Sequence, residues 1–278
     1  MDTHVVLIDC ADQKGLVHRI TGVFYRNGHN ITANAEFVDG AADHFFMRTE
    51  VVGDLEEPRI TAELREVLPT PVTIRITRRV KKNIVIFATR EHHCLADLLI
   101  RNTYGELDAN VLAVVSNHDI LEPLARRFDV PYHRVSHEGL ERPEHEGRIR
   151  QLLETIDPEY VVLAKYMRIL SPEFVAQFAN RIVNIHHSFL PAFAGANPYR
   201  QAFERGVKII GATAHFVTAS LDQGPIIAQG VIPVDHTHSA ADMAEAGKDV
   251  EKTVLARALK LVLEDRVFVS GNRTVIFD

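Results

Sequence analysis

The sequence predicts an α/β protein in two parts, a small β-α-β-β-α-β module over residues 1–82 and a larger unit with a mostly parallel sheet over residues 83–278. Three observations predict it. The first part alternates period-two and period-3.6 hydrophobic patterns in that order. Four later segments, IVIFAT (84–89), VLAVVS (111–116), YVVLA (160–164) and RIVNIH (181–186), are near-continuous apolar runs separated by helical patterns. Strands apolar on both faces belong to a parallel sheet covered by helices on each side. Between the two parts the apolar pattern gives way to ITRRVKK (76–82), which reads as a solvated connection.

In chain order, THVVLID (3–9) reads as the first strand, and Asp12-Gln13-Lys14-Gly15 carries turn chemistry. Leu16, Ile20, Val23 and Phe24 recur at helical spacing, and Asn27-Gly28 stops that helix. Residues 30–38 and 44–51 read as strands around an Asp39-Gly40 turn. Pro58 opens a helix with Ile60, Leu64 and Val67 on one face, Pro69 and Pro71 close it, and VTIRI (72–76) is the last strand. This is the split, ferredoxin-like arrangement. In the second part, GATAHFV (211–217) and PIIAQGVIPV (225–234) read as a strand pair. Ser239 and Asp242 form a capping box for a helix running to about Arg266. VFVSGNRTVIF closes the chain as a hairpin turning at Gly271-Asn272.

The totals exclude several classes. Hydrophobic residues are 46% and charged residues 24% of 278, the balance of a soluble globular protein. A net charge of −6 gives no reason to expect a nucleic-acid partner. No apolar stretch is long enough for a bilayer, so no membrane association is expected. Cys10 and Cys94, one in each part, make no disulfide framework and read as buried, inert thiols. A reducing cytoplasm is the expected setting. Neither His-Glu-x-x-His nor paired cysteine spacing occurs, so no metal and no cofactor is expected.

The densest chemistry lies between Asn184 and Tyr199. Asn184 and His186 sit two apart at the end of an apolar strand, so both side chains share a face. Ligands of open α/β sheets bind at the carboxyl ends of parallel strands. An amide and an imidazole there can polarise a carbonyl and hold a developing oxyanion. Pro191 and Gly195 enforce a loop after them. Asp222, in the turn Ser220-Leu221-Asp222-Gln223-Gly224-Pro225, is a carboxylate able to couple to that imidazole and hold a water as base. In isolation, Asn184 would read as a strand-end residue, His186 as a buried histidine and Asp222 as a turn former.

Two resemblances sharpen this. Asp12, Gly15-Leu16, Ile20, Gly28 and Asn30-Ile31 resemble the ACT domain. That resemblance implies side-by-side pairing, hence a homo-oligomer, and a small amino-acid effector near Asp12, Gly15 and Asn30. Asn184/His186, Ser188-Phe189-Leu190-Pro191, His215-Phe216-Val217 and Leu221-Asp222-Gln223-Gly224-Pro225 resemble, in order, the signature of folate-dependent formyltransferase domains. This implies a Rossmann-like domain that binds a formylated reduced folate, with Asn184, His186 and Asp222 as the catalytic set. It also implies that Tyr166, Met167, Arg168, Ile169 and Leu170 contact the folate pterin.

The reaction follows from a departure. Transferases acting on phosphorylated acceptors cradle the phosphate in a Gly-rich loop after the first strand. Here that strand ends Ala88-Thr89-Arg90-Glu91-His92-His93-Cys94-Leu95, without glycine. Together with the ACT-like module and the doubled histidine His186-His187, this resembles the formyltetrahydrofolate deformylases. The resemblance implies hydrolysis of 10-formyltetrahydrofolate to tetrahydrofolate and formate, a linear-amide C–N hydrolase step that feeds purine synthesis and balances one-carbon pools. It also implies control by amino acids such as methionine and glycine. His187, His92 and His93 are candidates for the water or acceptor side. The alternative is formyl transfer to an amine, and a third is a non-enzymatic amino-acid sensor.

Overall fold

The computed structural model describes residues 2–192 and 197–278. Gly195, named above as a loop former, lies outside them. The chain divides into two compact units. Unit 1 comprises Met1–Val80, Glu264–Phe268 and Val275–Asp278, and unit 2 comprises Lys81–Leu263 and Val269–Thr274.

Unit 1 starts with β1 (Thr3–Ala11), α1 (Leu16–Arg26), β2 (Asn30–Asp39), β3 (His44–Val52), α2 (Glu57–Val67) and β4 (Val72–Arg78). The strands form one antiparallel sheet in the order β2-β3-β1-β4. Gly15 precedes α1 with φ 84°, a left-handed conformation that glycine adopts without a Cβ penalty. Residues Val5 to Ile8 are all buried, so β1 is covered on both faces. Val6, Ile8 and Cys10 pack with Ile20, Phe24 and Leu64 from the helices. Val5 and Leu7 face the other way and pack with Phe46 and Phe268, with Val275 and Phe277 against them. The chain end therefore completes the second face of this sheet. Buried Arg48 fixes it: its guanidinium donates to the carbonyls of Asp265 (2.9 Å) and Glu264 (3.0 Å) and to Glu50 (2.8 Å). The long helix accordingly stops at Leu263, short of the expected Arg266.

The basic run is short and ion-paired. β4 extends through Arg78 and the next strand starts at Lys82, so only three residues connect them. Its cations are paired: Arg75 with Asp265, Arg78 with Asp2, Arg79 with Glu50 and Lys81 with Asp108. Lys82 is buried, with Glu159 at 3.8 Å. The run is solvated as expected, with its exposed cations in ion pairs and only Lys82 buried.

Unit 2 contains β5 (Lys82–Ala88), α3 (His93–Thr103), β6 (Ala109–Ser116), α4 (Glu122–Arg126), β7 (Tyr132–Arg134), α5 (Arg142–Ile156) and β8 (Tyr160–Leu163). It continues with α6 (Pro172–Gln177), β9 (Ile182–His186), α7 (Pro198–Arg205), β10 (Ile209–Phe216), β11 (Ile226–Pro233) and α8 (Ala240–Leu263). A hairpin, β12 (Val267–Ser270) and β13 (Arg273–Ile276), follows. The seven-stranded sheet runs β11-β10-β9-β8-β5-β6-β7. β7, β6, β5, β8 and β9 are parallel, whereas β10 and β11 are antiparallel additions. The chain leaves β5 toward β6 and β7, then returns to β8 on the other side, a switch point that opens a crevice beyond the strand ends. Both cysteines are free and buried, and burial pushes the Cys10 thiol up to about 11 and Cys94 further.

At the start of α8, the backbone N–H of Asp242 donates to the Ser239 hydroxyl (3.2 Å), and the Ser239 N–H donates to the Asp242 carboxylate (2.9 Å). Replacing Ser239 with Ala is expected to cost about 1 kcal/mol. Denaturant or thermal unfolding checks this, with Ser239→Thr expected to retain most of the stability.

Candidate active site

β9 ends with Asn184 and His186 on one face, and the antiparallel register of β10 places His215 directly opposite Asn184. The Asn184 amide donates to His215 Nε2 at 3.2 Å, and His215 Nδ1 donates to the carbonyl of Phe216 at 2.9 Å. That second bond sets the tautomer that leaves Nε2 as acceptor. Burial holds the His215 pKa below the usual histidine value, which favours this neutral ring. Between β10 and β11 the chain reverses, with Asp222 at φ 55°. The turn presses against the sheet: a Cβ on Gly224 would sit 1.8 Å from the Phe216 carbonyl oxygen. It delivers the Asp222 carboxylate to 3.4 Å from His186 Nδ1 and 3.9 Å from His215 Nε2. Asn184, His186 and Asp222 thus come together, and His215 joins them. His215 stood in the quoted His-Phe-Val motif, but only strand register reveals that it meets Asn184.

These four groups line a cavity of about 260 Å³. Its other walls include Met167, Ile169, Leu170, Val217 and Leu221. Met167 and Ile169 are more than half exposed, unlike the core residues their type suggests. Arg168 and Tyr166 also line the cavity, and Tyr166 is buried edge-on against Phe87. The loop is held by groups far away in sequence. The Met167 N–H donates to Thr89 Oγ1 (2.9 Å), and Arg142 donates to the Ile169 carbonyl (2.7 Å). Buried Glu146 accepts from the Ser171 N–H (2.8 Å) and from its hydroxyl. The stretch 187–191 is likewise pinned: Thr213 donates to the Ser188 carbonyl and accepts from the Leu190 N–H, while Gln229 donates to the Leu190 carbonyl.

A second cavity of about 360 Å³ lies next to the first, and Lys165 and His187 line both. Its polar centre is Glu251 of α8, 1% exposed at the side chain. His93 at the start of α3 bonds it at 2.8 Å, the Tyr199 hydroxyl donates at 2.7 Å, and Lys165 Nζ lies 3.2 Å away. Burial would raise the Glu251 pKa, but these three donors hold it down at about 2, so it is an anion. Burial and Glu251 push Tyr199 up, which keeps it a donor. Gly247 makes room for that ring, since a Cβ there would lie 2.0 Å from the Tyr199 oxygen. His187, ring to ring with His186 (5.3 Å) and Tyr199 (5.9 Å), is pushed down to about 4 by burial and by the Lys165 charge.

Of the acceptor-side candidates, His187 lines both cavities and buried His93 reaches the second through its bond to Glu251, whereas His92 is exposed at the α3 N-cap. His93, Cys94 and Glu251 place ligand atoms within 4.8 Å of one another. Burial raises the Cys94 thiol pKa, and the Glu251 carboxylate is already bonded by His93 and Tyr199. In unit 1, Asp12 and Gly15 follow β1, but Asn30 lies at the opposite end of the sheet, aligned with Thr3 through Val52. The three expected effector residues do not converge within one chain.

Residues 82–259 match the family model described as formyl transferase, and residues 4–69 match the ACT domain. The formyltetrahydrofolate deformylase of Haemophilus influenzae is 53% identical, with 99% of each chain aligned. That of Escherichia coli K12 is 56% identical over 96% of this chain and 95% of the relative. The crystal structure of a formyltetrahydrofolate deformylase from Pseudomonas syringae superposes with a TM-score of 0.95 at 42% identity, covering 100% of this chain and 95% of that one. With a formyl transferase fold, an ACT domain and this match along its whole length, the chain belongs to the formyltetrahydrofolate deformylase family.

Proposed function

We infer that this protein is an enzyme that hydrolyses 10-formyltetrahydrofolate to tetrahydrofolate and formate. The observation that carries the reading is the meeting of an amide, two imidazoles and a carboxylate in one cavity. The apolar loop around Met167 and Ile169 suits the face of a pterin. The formyl carbonyl then lies against Asn184 and His186. Asp222, coupled to His186, orients a water and takes its proton. Asn184 and protonated His186 stabilise the oxyanion, and collapse expels the folate N10 with a proton. General acid–base assistance is worth roughly 10²–10⁴ in rate and an oxyanion donor about 10²–10³. His215 acts as a positioning residue that aims the Asn184 amide. His187, kept neutral, can accept a hydrogen bond from the water.

The same reading places the reaction in one-carbon metabolism, with formate available for purine synthesis, in the cytoplasm. No described helix is long and apolar enough to cross a membrane. The ACT domain supports a homo-oligomer and amino-acid control, with methionine and glycine as the first effectors to assay. Because Asp12 and Asn30 lie at opposite ends of the sheet, an effector touching both would need two chains.

With 10-formyltetrahydrofolate and water alone, stoichiometric formate is expected; a transferase would release little without an amine. Asp222→Asn should lower kcat by at least about 10²-fold with a folate KM within threefold of wild type. Near-normal formate release would remove Asp222 from the role of base. His187 titrates near 6.5 when unfolded but at about 4 when folded, so the unfolded chain binds the extra proton as pH falls through that window. Stability should therefore fall between pH 6.5 and 4 by at most about 3 kcal/mol from this group. Unfolding of His187→Gln across that range should show a visibly shallower slope.

A further inference from the structure

Lys165 is the residue that ordinary packing explains least. It follows β8 at the sheet's switch point, in a left-handed conformation with φ 62° that a side chain disfavours. Its side chain is 4% exposed, yet it lines both cavities. Its ammonium group lies 3.2 Å from Glu251 and 3.9 Å from Glu91. Burying a lysine in a strained backbone costs free energy that a small neutral residue would avoid.

A carboxylate held ionised at the back of a polar chamber, beside a catalytic cavity, has the chemistry of an amine-binding site. Glu251 keeps one partner on each side, His93 and Tyr199, and its remaining interaction is with a primary ammonium ion. The chain supplies that ammonium ion itself.

We propose that Lys165 is an internal plug of the amine-acceptor side, whose ammonium group on Glu251 fills the place an attacking amine would need, so that water alone reaches the formyl carbon. Lys165 is then the specificity-determining residue that makes the site a hydrolase. The inference rests on the hydrolytic reading above and adds the reason for it. Opening the chamber should let an amine nitrogen attack the formyl carbon. The bond from that carbon to N10 breaks, N10 takes the proton the amine loses, and the products are an N-formyl amine and tetrahydrofolate.

Lys165→Gly tests this, because glycine takes the left-handed backbone without strain. The enzyme is incubated with 10-formyltetrahydrofolate and hydroxylamine, and formohydroxamate and formate are both measured against an enzyme-free control. The ratio of the two products does not depend on how much enzyme is folded, so a merely structural role for Lys165 would leave it unchanged. The wild type should give formate alone at every hydroxylamine concentration. Lys165→Gly should give formohydroxamate at least tenfold above the enzyme-free control, saturably. Lys165→Ala serves the same measurement if the glycine variant does not fold. An unchanged product ratio in the variants would overturn the proposal, as would saturable transfer to hydroxylamine by the wild type. Absence of formate release by the wild type would instead overturn the hydrolytic reading itself.

Discussion

The antiparallel pairing of β9 with β10 is the constraint on which the site depends. It sets Asn184 against His215 and His186 against Thr213, so one register fixes the amide, one imidazole and the hydroxyl that pins the following loop. A slip of one residue would turn these side chains to the other face. The parallel strands give a crevice at their carboxyl ends, and the antiparallel addition brings a second strand's residues into it. Asp222 then depends on the turn that follows β10, which Gly224 lets lie directly against the Phe216 carbonyl.

Electrostatics divides the crevice into two chambers. On the Asn184 side, the Asp222 carboxylate faces the histidines, and the walls combine apolar side chains with Arg168 and Lys165. On the other side, Glu251 carries a buried negative charge balanced by Lys165 and by two further donors. His187 stands at the boundary, neutral because burial and the Lys165 charge both oppose its protonation. Charge on Lys165 and neutrality of His187 are thus one arrangement.

Unit 1 shows how a chain end is recruited into a fold. The sheet of β1 to β4 has apolar side chains on both faces, but its two helices cover only one. Phe268 and Phe277 cover the other, and Arg48 satisfies the carbonyls that arrive with them. The basic run ending β4 is neutralised partly by the same tail, through Asp265 on Arg75 and Thr77.

The sequence by itself determined the element order of unit 1, the longer strands of the second sheet and the Asn184–His186 pair, because hydrophobic period and strand alternation are local. The capping box at Ser239 and the turn at Asp222 were legible for the same reason, since their chemistry spans a few residues. The expectation that Asp222 joins the pair rests on motif resemblance, not on periodicity. Tertiary structure alone decided the rest. His215 joins the site through register, Lys165 from the bend after β8, His93 from α3 and Tyr199 from α7 meet on Glu251 of α8, and the tail closes the first sheet. Such groupings depend on distances between segments far apart in the chain, and local hydrophobic pattern carries no record of them.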